Sequence, residues 1–90
     1  MNVELSRDNR ITLLETVPFH GEWKYYRILE ELRREVGFDS DEIAEWDEIP
    51  LKKFKIEPGA LEIALATLNE LIGSETITPE QEALYAILTG

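Results

Sequence analysis

The chain offers few side chains that could make or break bonds. Its one histidine, His20, lies in Phe19-His20-Gly21, a turn-like stretch with no spacing to a partner that would fix its tautomer. There is no cysteine, which removes thiolate nucleophiles, thiolate metal ligands and disulfides. No serine stands in a nucleophile elbow, and no glycine-rich phosphate loop is present. The five glycines occur singly and sit where elements are expected to end.

The densest chemistry is a carboxylate run. Residues 38–50 hold Asp39, Asp41, Glu42, Glu45, Asp47 and Glu48 with no base among them. A calcium loop needs oxygen ligands at alternate positions, glycine at the sixth and glutamate at the twelfth. Counted from Asp39, those places hold Ile43 at the fifth, Ala44 at the sixth and Pro50 at the twelfth. The run therefore reads as a solvated acidic surface, with Asp41 and Glu45, one helical turn apart, as a weak surface cation pair at most. No cofactor or metal is expected.

Eight aromatics offer the other chemistry, that of contact, and half of them lie between residues 19 and 26. On a helix through that stretch Tyr25 falls on the apolar stripe, Trp23 on nearly the opposite side and Tyr26 at the edge. Tryptophan and tyrosine dominate binding hot spots, which makes Trp23 and Tyr26 candidate partner anchors. A core role for Trp23, covered by Phe19 or the first helix, is the competing expectation. Lys24, Arg27, Arg33 and Arg34 are interleaved with Glu30, Glu31 and Glu35, as expected for pairing within a helix rather than for a phosphate-reading row.

Ninety residues with a formal charge of −10 and 43% hydrophobic composition must position these groups. A chain this short buries about 60–65% of its unfolded surface, enough for one modest core in a single domain, 1–90. The field of such a charge opposes direct binding to nucleic acid or to an anionic membrane. No apolar stretch approaches the ~20 residues a membrane span needs, and the start of the chain lacks a signal-peptide pattern.

The expected elements follow from period and punctuation. Val3 and Leu5 alternate with polar neighbours as in a short strand. Ser6 caps a helix over about 7–16, with Ile11, Leu14 and Val17 on one side and Pro18 as its stop. A second helix over about 22–36 carries the stripe Tyr25, Ile28, Leu29, Leu32, Val36. Glu30 and Arg34 are spaced to pair there, and Gly37 is placed to end the helix in left-handed backbone, followed by Phe38. Asp39-Ser40-Asp41-Glu42 is a capping box for a short helix over 40–46 that would bury Ile43 and Trp46. Residues 51–57 alternate Phe54 and Ile56 with charges, a second strand able to pair with residues 2–5, its lysines guarding the edge. Pro58 opens a helix to about Ile72 that is apolar on most sides and so expected at the centre. Thr78-Pro79-Glu80-Gln81 opens a last helix burying Ala83, Leu84, Ile87 and Leu88. The expected fold is mainly α: a compact bundle of four to five helices around a central apolar helix, with a short two-stranded β ribbon from residues 2–5 and 52–57.

The segments Leu5…Arg10-Ile11-Thr12-Leu13-Leu14…Pro18…Gly21, Ile28-Leu29…Leu32-Arg33…Gly37-Phe38…Asp41-Glu42-Ile43, Phe54-Lys55-Ile56…Ala64-Leu65-Ala66-Thr67-Leu68 and Thr78…Leu84-Tyr85 resemble a group of small, functionally uncharacterised phage- and prophage-encoded proteins. The resemblance implies a virus-encoded protein acting in the bacterial cytoplasm or in the particle. It carries no catalytic motif.

The leading expectation is a non-enzymatic protein-interaction module, a phage-type accessory protein whose partner is a host or viral protein or a second copy of itself. Its candidate contacts are Trp23, Tyr26 and the six acids of residues 38–50. The rivals are an acidic nucleic-acid mimic that occupies the basic groove of a host protein through those acids, and a virion or homo-oligomeric subunit sealed through the apolar fourth helix. An enzyme is the least expected class.

Overall fold

The computed structural model describes the backbone of residues 1–17 and 23–90 and the side chains of 1–17 and 26–90. The expected turn at Phe19-His20-Gly21 and the side chains of Trp23 and Tyr25 lie outside the described residues. The element order is β1 (Asn2–Leu5), α1 (Arg7–Thr16), α2 (Trp23–Val36), α3 (Ser40–Ala44), a 3-10 turn (Trp46–Glu48), β2 (Lys52–Lys55), α4 (Pro58–Gly73) and α5 (Pro79–Thr89). This is the mainly helical bundle with a short ribbon that the sequence leads one to expect.

Three helices start on side-chain caps. Ser6, Asp39 and Thr78 each accept from the backbone N–H three residues on, and Asn9, Glu42 and Gln81 reach back to the cap N–H. Each box satisfies two of the amides a helix start leaves unpaired. At the end of α1, Val17 is extended, as the residue before a proline must be.

β1 and β2 pair antiparallel, with Val3 opposite Phe54 and Glu4 opposite Lys53. Met1 and Ile56 extend the ladder by exchanging backbone bonds of 3.0 and 2.7 Å. Val3, Leu5, Phe54 and Ile56 are buried, whereas Glu4 and Lys53, of opposite charge and opposite in register, are exposed to solvent. The β2 edge is covered in part by α2, where Glu35 accepts from the Lys55 N–H at 3.3 Å. That bond and the strand's lysines are devices that discourage edge-to-edge pairing.

The core is shared by α1 and α4. α4 packs against α1, α2 and α5, and α1 packs against α2, α4, α5 and β1. Ala60, Ala64 and Leu68, spaced by four, are the fully buried residues of α4; two small side chains in that row let neighbouring elements approach closely. Leu84 and Leu88 of α5 close the core, and Gln81 donates to Thr16 at 3.1 Å, tying the start of α5 to the end of α1.

Several local expectations are corrected. The buried side of α1 is Arg10, Leu13 and Val17, and Ile11 and Leu14 are only half-buried, so the helix is turned by about one residue. α3 is shorter than expected and buries nothing: Ile43 is 60% exposed, and Trp46 stands 37% exposed in the 3-10 turn. Ala83 is exposed. Glu30 meets Arg33 at 3.7 Å, three residues on, instead of Arg34. Gly37 is not left-handed; its role is close approach, because a Cβ there would stand 2.7 Å from the Arg33 carbonyl oxygen.

The left-handed residue lies elsewhere. α4 ends in a Schellman motif, with Glu75 N–H bonded to Ile72 O at 3.1 Å and Thr76 N–H to Leu71 O at 3.0 Å. The residue that must turn left-handed is Glu75, with φ 59°. A side chain costs about 1 kcal/mol in that conformation, which glycine avoids. Glu75→Gly is therefore expected to stabilise the fold by up to ~1 kcal/mol, read as a rise in thermal midpoint of about 4–8 °C. An unchanged or lower midpoint would contradict this account of the α4 end.

Candidate functional site

The most unusual side chain of the fold is Arg10. It sits in the first half of α1, is fully buried, and is the only charged residue so placed among those described. A buried guanidinium is tolerated only when its donors are filled. Here they are met from two directions. Nε donates to Val36 O at 3.0 Å and Nη2 to Gly37 O at 2.6 Å, filling carbonyls that the end of α2 leaves free. Nη1 and Nη2 donate to the two carboxylate oxygens of Glu42, the latter at 2.9 Å, in a bidentate fork. Its carbon lies 4.0 Å from the Phe38 ring centroid and 4.8 Å from that of Phe54. The charge thus also faces two π clouds. It sits at the negative end of the α2 dipole as well.

Glu42 is shaped for this partner from both sides. The Arg10 hydrogen bond lowers its pKa from 4.5 to about 2, against the opposing pull of desolvation. The Asp39 N–H and the positive charges of Arg10 and Lys52 add to the lowering. The same carboxylate closes the α3 capping box by accepting from the Asp39 N–H at 3.2 Å.

A second arginine of α1 holds the next stretch. Arg7 donates to Trp46 O at 2.9 Å, lies 5.4 Å from the Trp46 ring centroid, and approaches Asp47 at 3.6 Å. Trp46 in turn packs on Phe38, with ring centroids 4.7 Å apart. Residues 38–48 are therefore fastened to α1 by two arginines and to each other by two rings. Neither α3 nor the 3-10 turn has a buried residue.

What this segment leaves outward is apolar and acidic. Ile43 and Leu51 are 60% and 63% exposed, and Trp46 keeps part of its surface in water. Around them Asp39, Asp41, Glu45, Asp47 and Glu48 are exposed. Beside them runs an open groove of about 930 Å³ between α2, α3 and β2, with Phe38, Ile43 and Leu14 as its apolar lining and Arg33, Arg34 and Lys52 among its charges. Among the described residues no three carboxylates or histidines converge as a metal site, and no helix is long and apolar enough to cross a membrane.

The expected contact residues thus separate. Five of the six acids stand on the surface, while Glu42 is turned inward and committed to Arg10. Tyr26, 57% exposed, lies one turn before Glu30 on the same side of α2, and Glu30 lines the groove. The Trp23 side chain lies outside the described residues. Sequence reasoning missed Arg10 as a structural centre, and it missed Ile43, Trp46 and Leu51 as exposed apolar groups. The spacing Arg10-Leu13-Val17 was a usable signal for the former, because it puts an arginine on the buried stripe. Its partner is 32 residues away, beyond any local pattern.

Comparison with protein-family models, with curated proteins and with solved structures finds no match to this chain.

The Arg10–Glu42 pair sets an acid sensitivity. Glu42 titrates lower in the folded than in the unfolded chain, so its stabilisation is present above pH 4.5 and is lost as pH falls towards 2. Glu42→Gln is expected to cost about 3 kcal/mol near neutrality, because it removes the countercharge of a buried guanidinium. The gap in thermal midpoint between wild type and variant should narrow below pH 4.5 and close near pH 2. A gap that stays constant across that range would show that the pair is not ionised as described.

Proposed function

We propose that the chain is a non-enzymatic protein-interaction module, an accessory protein of the phage type that its sequence resembles, and that it docks through the outer surface of α3 and the 3-10 turn. The observation that carries this reading is the exposure of Ile43 and Trp46 on a stretch that the fold fastens with two arginines, with Leu51 exposed three residues beyond it. Scattered apolar side chains on a surface are ordinary. Here three of the six large hydrophobics that are clearly exposed among the described residues fall within nine positions.

Docking of this kind is favoured over phosphate mimicry by two features. Apolar groups stand among the carboxylates, which a backbone mimic would not need. The best-placed carboxylate, Glu42, is held by Arg10 and is not offered outward. Tyr26 is a second contact candidate along α2.

The test is capture from a bacterial lysate by the wild-type chain and by the double variant Ile43→Ser, Leu51→Ser. Both side chains are mostly in water, so the variant's stability should stay within about 0.5 kcal/mol of wild type. The expected result is a specific partner retained by wild type and lost by the variant at equal thermal midpoint. Identical capture profiles for the two proteins would refute docking at this surface.

A further inference from the structure

We infer that the occupant of the α3 and 3-10 surface is a basic segment of a partner protein, in which arginine or lysine alternates with apolar residues; this rests on the docking reading above. Residues 38–50 carry six acids and no base. Asp39 caps α3 and Glu42 neutralises Arg10. That leaves Asp41, Glu45, Asp47 and Glu48 exposed to water beside Ile43, Trp46 and Leu51, and the Asp47 side chain is 97% exposed even with Arg7 nearby.

The chemistry this stretch already uses on its inner side points the same way. Both attachments to α1 are arginines met by the same three kinds of group: an aromatic ring, a carboxylate and a backbone carbonyl. Arg10 meets Phe38, Glu42 and Gly37 O. Arg7 meets Trp46, Asp47 and Trp46 O. The outer side of the same short segment repeats two of those groups, with Trp46 partly open and Glu45 and Glu48 flanking it in sequence. Guanidinium groups stack on rings and fork onto carboxylates better than any other side chain. Ile43 and Leu51 supply the apolar contact that turns attraction into a docked pose.

A basic segment of this kind would favour α3 and the 3-10 turn, where residues 40–48 carry acids and no base, over the groove, where Arg33, Arg34 and Lys52 are mixed with Glu30, Glu35 and Asp39. The overall charge of −10 would speed the encounter, and the contact should weaken with salt.

The test uses the full chain, ¹⁵N-labelled, and two capped hexapeptides, one alternating arginine with leucine and one alternating glutamate with leucine. The arginine peptide is expected to shift the Trp46 indole and the Ile43 and Glu45 amides, with affinity falling on the order of tenfold between low and high salt. The glutamate peptide should shift none of them. Glu45→Gln with Glu48→Gln should weaken the arginine peptide several-fold, whereas the charge-matched control Glu80→Gln with Glu82→Gln on α5 should leave it unchanged.

Equal weakening by both variant pairs would reduce the effect to general attraction and overturn the inference, as would shifts spread over the whole surface or no binding of the arginine peptide. Failure here can be told from failure of docking. If the Ile43→Ser, Leu51→Ser variant still loses its captured partner while the arginine peptide does not engage, the surface docks a partner of other chemistry and only the present inference falls.

Discussion

A positive charge buried at the meeting of three elements sets the form of this domain. Removing a guanidinium from water costs several kcal/mol unless every donor finds a partner. Arg10 therefore dictates where its acceptors must be. The end of α2 has to bring Val36 O and Gly37 O to it, α3 has to begin where Glu42 can reach it, and the Phe38 and Phe54 rings have to close over it. No hydrophobic contact specifies position so narrowly, since apolar packing is tolerant of direction. The glycine at 37 belongs to the same constraint, because any side chain there would collide with the Arg33 carbonyl.

The consequence reaches the surface. A five-residue helix followed by a 3-10 turn, with no buried residue, would not hold its shape by hydrophobic burial. Ion pairs and cation–π contacts from α1 fasten it instead, which leaves its apolar side chains free to face outward. Polar attachment inside and apolar display outside reverse the usual arrangement of a surface helix. That reversal is the basis of the docking proposal. The aliphatic core formed by α1, α4, α5 and the ribbon serves as its rigid support.

Much of the scaffold was legible in the sequence because its signals are local. The cap at Ser6, the capping boxes at Asp39 and Thr78, prolines at 18, 58 and 79 and the alternation of Phe54 and Ile56 each act within a few residues. The ribbon pairing followed from two short alternating segments, each leading into a helix. The site was much less legible. Short amphipathic helices usually bury their large side chains, and the pattern of Ile43 and Trp46 points to a core for that reason. Here the buried ligand of the segment is the charged Glu42, and the helix is rotated to deliver it. The same holds for α1: its apolar residues alone point to Ile11 and Leu14 as the buried side, and the structure puts an arginine there. Both errors trace to one long-range ion pair, which no period or spacing reveals. At the end of α4 the sequence signal was Gly73, but the left-handed position fell to Glu75, two residues later.

The position of α3 and the 3-10 turn depends on whether Arg10 fastens them to the rest of the fold. Native-state hydrogen exchange of wild type and Arg10→Met measures this most directly, because it reads each hydrogen-bonded amide separately. After correction for the change in global stability, the amides of Glu42, Ile43, Glu45 and Glu48 should lose protection in the variant, while those inside α4 and α5 keep theirs. Retained protection across residues 42–48, or a loss spread evenly over all helices, would show that the buried arginine does not hold this segment.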